Sequence, residues 1–232
     1  MYLTKADKYL KSPETTVYRA IFGFDFSCNK PAMTSCIDGV YEFYVWPSDL
    51  DEKETDRLES LDVHVYNRKL PKIKDKSLDQ HGLIIEHVNR ANNLSEIITK
   101  TILDKLFHHG IPVNEAIIAN EGFAFSAKGD AALQLAGYKY VLMNMLMRID
   151  FAAFKTYSPI SIKKTANCSK KGLGKDAMIT ALSKEDIDNH FVNVLRDDPQ
   201  YLKKKTNYIH CIDDIADSYW CTKTCINDLC QQ

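Results

Sequence analysis

Two short apolar runs in this chain each end in a carboxylate, and that placement restricts the fold more than any other feature. Ile21-Phe22-Gly23-Phe24 leads into Asp25, and Ala116-Ile117-Ile118-Ala119-Asn120 leads into Glu121. Short runs of branched and aromatic residues suit strands buried within a sheet. A carboxylate is seldom set in or beside such a core without a compensating positive charge. The pattern predicts buried strands whose ends carry acids. A further pair, Asp214 and Asp217 in Cys211-Ile212-Asp213-Asp214-Ile215-Ala216-Asp217-Ser218, opens a helical segment. Their i, i+3 spacing puts them on one helix face. Asp213 lies about 100° round an ideal helix from Asp214 and points to solvent or to an outer position.

The remaining patterns supply a mixed order of strands and helices. Arg19 to Ser27 reads as the first strand, and Met33 to Ile37 and Val40 to Trp46 as the second and third, joined by the hairpin signal Asp38-Gly39. An acidic stretch, a short strand from Asp62 to Tyr66 and the basic loop Lys69 to Lys76 make an insertion at about 47–76. Ser77 to His109 has helical periodicity through Leu83, Ile84, His87, Val88, Ile97, Ile98, Ile102 and Leu106, with Asn92-Asn93 as a candidate break. Gly110 with Ile111-Pro112 stops it. Glu115 to Phe123 is expected as a strand, and Asp130 to Met147 as a helix with a core stripe of Ala131, Leu135, Tyr138, Leu142 and Met145. Phe154 to Ile162 is expected as a strand that Pro159 confines to an edge. Lys175 to Ser183, Lys184 to Leu195 and Ile212 to Leu229 are expected helices. Residues 1–18 read as an arm and 19–232 as one domain. The expected class is α/β, a ribonuclease H-like mixed five-stranded sheet flanked by helices.

With 30 Lys and Arg against 31 Asp and Glu, the net charge is −1, so any contact with nucleic acid must come from a local basic surface. Lys163 to Lys175 supplies one, with five lysines and no acid; Lys203, Lys204 and Lys205 form another run. The seven cysteines are scattered in no small secreted framework, which points to reduced thiols and a soluble intracellular protein. Cys221, Cys225 and Cys230, separated by three and four residues, lack the paired CxxC spacing of a zinc site and suit a partly buried helix face. No Gly-x-x-x-x-Gly-Lys-Ser/Thr motif is present, which excludes a complete packaging motor. His108-His109 fits a helix C-terminal cation, and His210 a strand-end surface histidine or a group that assists a water or phosphate. Phe123 and Phe125 could pack in the core or wedge between bases.

Hard oxygen ligands are what Mg²⁺ requires. Phosphodiester hydrolysis needs a deprotonated water and a stabilised leaving oxygen, and two divalent ions roughly 3.5–4 Å apart provide both. Asp25 would bridge the ions, Glu121 would bind one, and Asp214 and Asp217 would close the other side.

Several motifs resemble those of the RuvC family of Holliday-junction resolvases, with its viral and phage relatives. Gly23-Phe24-Asp25-Phe26-Ser27 resembles the family's opening Gly-x-Asp-x-Ser-type strand, and Ile117 to Phe123 its apolar strand ending in a catalytic Glu. The helix carrying Ala131, Ala132, Leu135 and Gly137 is similar to the one that follows in the family. Tyr157-Ser158-Pro159, Ile162-Lys163-Lys164 and Gly172-x-Gly174-Lys175-Asp176 resemble its Pro-x-x-Val-Lys-Lys and Gly-x-Gly stretch. Asp214-Ile215-Ala216-Asp217-Ser218 is close to its Asp-x-Ala-Asp-Ala, and the resemblance spans roughly Arg19 to Cys221.

The resemblance implies a homodimeric Mg²⁺- or Mn²⁺-dependent endonuclease, with two ions per site, that resolves four-way DNA junctions by paired nicks. Asp25, Glu121, Asp214 and Asp217 would be the metal ligands. Lys163 or Lys164 would meet the scissile phosphate, with Lys175 as a second candidate. Ser27, Lys170, Lys171 and the loop Asn167 to Gly174 would contact DNA. Two alternatives stay open: another nuclease of the same fold, acting on flaps, branches or RNA–DNA hybrids, and a junction-binding protein without catalysis.

Overall fold

The computed structural model describes residues 18–68, 80–122, 130–170, 173, 175–198, 209 and 211–231. The first strands, β1 (Ala20–Asp25), β2 (Ala32–Ile37) and β3 (Val40–Val45), run antiparallel in sequence. Asp38 and Gly39 turn the β2–β3 hairpin with φ of 47° and 88°. Both residues therefore sit in the left-handed region that a tight two-residue hairpin turn requires. The described residues of the 47–76 insertion include helix α1 (Glu52–Glu59) and the three-residue β4 (Val63–Val65), which pairs parallel with Phe43 to Val45. Asp51 caps α1 by accepting from the Glu54 N–H at 2.8 Å.

A long helix, α2 (Gln80–His108), crosses to β5 (Ala116–Glu121), which lies parallel beside β1. Helix α3 (Asp130–Leu146) then leads to β6 (Ala153–Tyr157), parallel beside β5. The chain continues through α4 (Pro159–Thr165), α5 (Lys175–Leu182), α6 (His190–Asp197) and α7 (Ile212–Leu229). The sheet order is β4-β3-β2-β1-β5-β6. An antiparallel meander joined to two parallel strands, with helices on both faces, is the ribonuclease H-like arrangement the sequence predicts. The sheet has six strands rather than five, because the short Val63–Val65 segment adds itself to the β3 edge.

Alternation along β1 and β5 assigns the two faces. Ala20, Phe22, Phe24 and Phe26, with Ala116 and Ile118, pack beneath Ala91, Leu94, Ile98 and Ile102 of α2 and Tyr138 and Leu142 of α3. Phe22 and Phe24 are 0% and 1% exposed, each worth about 2–3 kcal/mol of burial. Ile21, Ile117 and Ala119 face the opposite layer, where Ile215, Tyr219, Cys221 and Cys225 of α7 meet residues of α5 and α6. Gly23 lets α7 lie against β1. A Cβ at that position would stand 2.2 Å from Thr222 Oγ1 and 2.6 Å from the Thr222 nitrogen.

Three further expectations need correction. Asn92-Asn93 does not break α2, since Ala91 and Leu94 on either side pack into the core and carry the helix through. The segment Phe154 to Ile162 is strand only to Tyr157, at the sheet edge. Ser158 then caps α4 by accepting from the Ser161 N–H at 3.1 Å, and Pro159 sits in the first turn. Residues 184–189 are not helical, and α6 begins after Asn189, whose side chain accepts from the Val192 N–H at 3.4 Å. Among the described residues no helix is long and apolar enough to cross a membrane.

Candidate functional site

Asp25 and Glu121 end adjacent parallel strands. The pairing runs Gly23 to Ala119 and Phe24 to Asn120, so one further step sets Asp25 beside Glu121 across a strand spacing of about 4.8 Å. Asp25 shares its face of the sheet with Ile21 and Gly23, and Glu121 shares that same face with Ile117 and Ala119. Both are half-buried, and both line one cleft of about 360 Å³ with Phe26, Gly122, Ala132, Leu135, Lys139 and Pro159. The carboxyl ends of parallel strands are the usual place for a ligand in such a sheet.

Helix α7 brings its acids to the same edge. Thr222 packs on Gly23, and residues Ile226, Leu229 and Cys230 lie by Tyr18, Arg19 and Ile21 at the start of β1. The helix thus runs antiparallel to β1, with its N-terminus toward the Asp25 end. Thr222 Oγ1 donates to the Thr34 carbonyl at 3.1 Å, and Ser218 Oγ meets Thr34 Oγ1 at 2.8 Å, fixing the crossing. Cys221 is fully buried; burial pushes its thiol up, a hydrogen bond to the Phe24 backbone opposes this, and the charges of Glu121 and Asp25 add to the rise. Asp217 stands one turn before Cys221 and Asp214 two turns before it, on the same helical stripe. Asp214 and Asp217 are half-buried and do not line the 360 Å³ cleft itself. Asp213 and Asp214 also occupy the first turn of α7, where the helix dipole favours acids. Cys211, in a left-handed conformation with φ 63°, starts that turn. Burial pushes its thiol up to about 12, aided by Asp214 and opposed by Lys30.

The loop after β1 is held firmly. Ser27 Oγ accepts from the Lys30 N–H at 2.8 Å, so its hydroxyl is engaged in turning the loop. Arg68 donates to the carbonyls of Trp46 at 2.9 Å, Cys28 at 3.0 Å and Asn29 at 3.2 Å. These bonds tie the residues that follow Asp25 to the end of β3.

Lys163 and Lys164 lie exposed in the last turn of α4. Pro159, at the other end of that helix, lines the cleft, and four residues of helix separate it from Lys163 by roughly 6 Å along the axis. Lys170 is exposed beyond them. Lys171, Gly172, Gly174, the side chain of Lys175, the run Lys203 to Lys205, His210, Phe123 and Phe125 lie outside the described residues, as do residues 1–17 and the loop Lys69 to Lys76. In the cysteine tail, Cys221 and Cys225 are buried and Cys230 is exposed.

The residue that sequence reasoning missed is Lys139. It is 6% exposed, lines the cleft beside Asp25 and Glu121, and its Nζ donates to the Glu121 carbonyl. Burial pushes its ammonium down, and the charges of Glu121 and Asp25 hold it up. The signal was present: Lys139 follows Leu135 by four and precedes Leu142 by three, which puts a charge inside the apolar stripe of α3.

The donor set of four carboxylates suits a hard divalent cation. Yet among the described residues no group of three or more His, Cys, Asp or Glu side chains is close enough to hold an ion. The cleft instead contains an ammonium group. The chemistry of the donors fits a hard divalent cation.

No family model matches the sequence, and no curated protein matches it. Solved structures do. The Thermus thermophilus RuvC structure is similar over 88% of this chain and 92% of its own, at 11% identity and a TM-score of 0.41. T. thermophilus RuvC in complex with a Holliday junction substrate covers 88% of this chain and 94% of its own, at 10% identity and a TM-score of 0.38. The yeast mitochondrial Holliday junction resolvase Ydc2 covers 94% of this chain and 81% of its own, at 13% identity and a TM-score of 0.41.

Proposed function

We propose that this chain is a divalent-metal-dependent endonuclease that cuts branched DNA, with four-way junctions as its substrate. The observation that carries the reading is the pairing of Asp25 and Glu121 at the carboxyl ends of adjacent parallel strands, with the acids of α7 directed to the same edge. Asp25, Glu121, Asp214 and Asp217 would hold Mg²⁺ or Mn²⁺, two ions per site. When bound, such ions supply an activated water and neutralise charge on the scissile phosphate.

The protein's own part is positioning. Strand β1, pinned between β2 and β5, fixes Asp25; β5 fixes Glu121. Helix α7, held on β1 by the Gly23–Thr222 contact, sets Asp214 and Asp217. Lys163, Lys164 and Lys170 present exposed point charges for backbone phosphates. The lysine-rich stretch supplies the local basic surface that a net charge of −1 demands. Symmetric nicks on opposed strands call for two sites related by a two-fold axis, hence a homodimer.

The test is cleavage of an end-labelled four-way junction beside matched duplex and flap substrates, in Mg²⁺ and in Mn²⁺, for wild type and Asp25→Asn. Paired symmetric nicks in the junction alone, lost in Asp25→Asn, are expected. Equal cutting of linear duplex and junction refutes junction selectivity. Junction binding with no cleavage in either metal refutes the nuclease reading and leaves a binding protein.

A further inference from the structure

Lys139 occupies an unusual position for a lysine. It belongs to α3, in the layer on the opposite face of the sheet from α7, yet its amino group lies in the cleft at the strand ends. Lysine is almost never this buried unless paired, and its surroundings in the cleft include the apolar Leu135, Ala136 and Pro159. An apolar side chain of the same length would fill the space without the cost of desolvating a charge. Its amino group donates to the Glu121 carbonyl, and it shares the cleft with the Glu121 and Asp25 carboxylates, whose charges favour the ammonium.

We infer that Lys139 is a built-in counter-cation of the cleft. Its ammonium balances Asp25 and Glu121 while no metal is bound, and it must leave the pair when a divalent cation takes over that charge. This rests on the proposed reading of the cleft as a metal site. It accounts for a lysine buried in the cleft that Asp25 and Glu121 line. The consequence is competition. The cleft holds its acids stably without metal, at the cost of a weaker metal site than the bare carboxylates would make. Metal entry and displacement of Lys139 are then one event.

The first measurement uses the wild-type protein. Amines are reductively methylated in EDTA and in saturating Mn²⁺, and modification of Lys139 is read by peptide mass spectrometry, with the exposed Lys53 and Lys100 as references. Lys139 should be protected in EDTA and label several-fold faster in Mn²⁺, the references being unchanged. The second measurement is calorimetric titration of Mn²⁺ into wild type and Lys139→Met. Removing a unit charge from beside the ligands should tighten Mn²⁺ roughly ten- to a hundredfold. Lys139→Met should also gain more thermal stability from Mn²⁺ than wild type does. A purely structural lysine would lower the melting temperature equally with and without metal and leave Mn²⁺ affinity unchanged. Mn²⁺ binding with unchanged Lys139 labelling overturns the counter-cation role and leaves the metal site standing. Absence of Mn²⁺ binding in both proteins overturns the metal reading of the cleft and this inference with it. Should Lys139→Met fail to fold, the labelling of wild type decides.

Discussion

Replacing Gly23 by alanine tests the architecture of the site through one methyl group. The added Cβ would lie 2.2 Å from Thr222 Oγ1, 2.6 Å from the Thr222 nitrogen and 2.9 Å from its Cα. A rotamer change can move the hydroxyl, but the other two atoms are helix backbone. To reach ordinary contact, α7 must retreat by about 1 Å from β1, opening an interface that buries Ile215, Tyr219 and Cys221 at 0% exposure. Overpacking of this kind costs about 1–3 kcal/mol, and a clash against backbone belongs at the upper end. At about 3 kcal/mol, a chain of this size should lose roughly 6–12 °C in melting temperature.

Urea denaturation followed by circular dichroism measures the loss, and an unchanged m-value confirms that it is one of stability. The cycle with Thr222→Ala separates the causes. Thr222→Ala alone forfeits the hydroxyl's bonds to Thr34 at 3.1 Å and Ser218 at 3.0 Å, worth about 1 kcal/mol net. It leaves the backbone clash untouched, so it should recover less than half of the Gly23→Ala penalty. Full rescue would show that only the hydroxyl collides. A Gly23→Ala protein as stable as wild type would refute the close approach of α7 to β1, and with it the placement of Asp214 and Asp217 at the Asp25 end.

Other perturbations address neighbouring parts. Arg68→Met removes the donors to Trp46, Cys28 and Asn29 and should cost about 2–4 kcal/mol; limited proteolysis should then cut between Phe26 and Pro31, and an unchanged digestion pattern would count against the pinned loop. His64 is exposed yet stacks on Tyr44 at a centroid distance of 4.6 Å, and partial desolvation, opposed by Glu42, holds its imidazole below the ordinary 6.5. The unfolded chain therefore binds the proton first, so stability should fall as pH drops below about 6.5 and level off beneath the folded value. His64→Phe should flatten that limb of the urea midpoint against pH, and an unaltered slope would assign it elsewhere.

What the sequence disclosed and what it hid follow from one distinction. Strand and helix positions come from local periodicity, so β1, β5 and α7 stand within a residue or two of their expected places. Where a local cue competed with burial, burial won: Asn92-Asn93 looks like a break, but Ala91 and Leu94 are needed in the core. Where a cap competed with a strand pattern, the cap won, as Ser158-Pro159 shows by turning the last residues of an expected strand into α4. Within the insertion the short strand at Asp62 to Tyr66 was legible, but neither α1 nor the strand's place in the main sheet was. The partner of β4 is Phe43 to Val45, some twenty residues upstream, and that pairing leaves no local signal. The same limit governs the site. Asp25 and Glu121 could be matched because each ends its own apolar run. Lys139 could not be assigned to them, since its partners lie 18 and 114 positions upstream (139 − 121 and 139 − 25) and only the tertiary fold brings it round the strand ends. A carboxylate at a strand end advertises the positive charge it needs; it does not say whether a metal or a lysine will supply it. In this chain the lysine does so first, and the affinity of the cleft for Mn²⁺ with and without Lys139 decides whether a metal can follow.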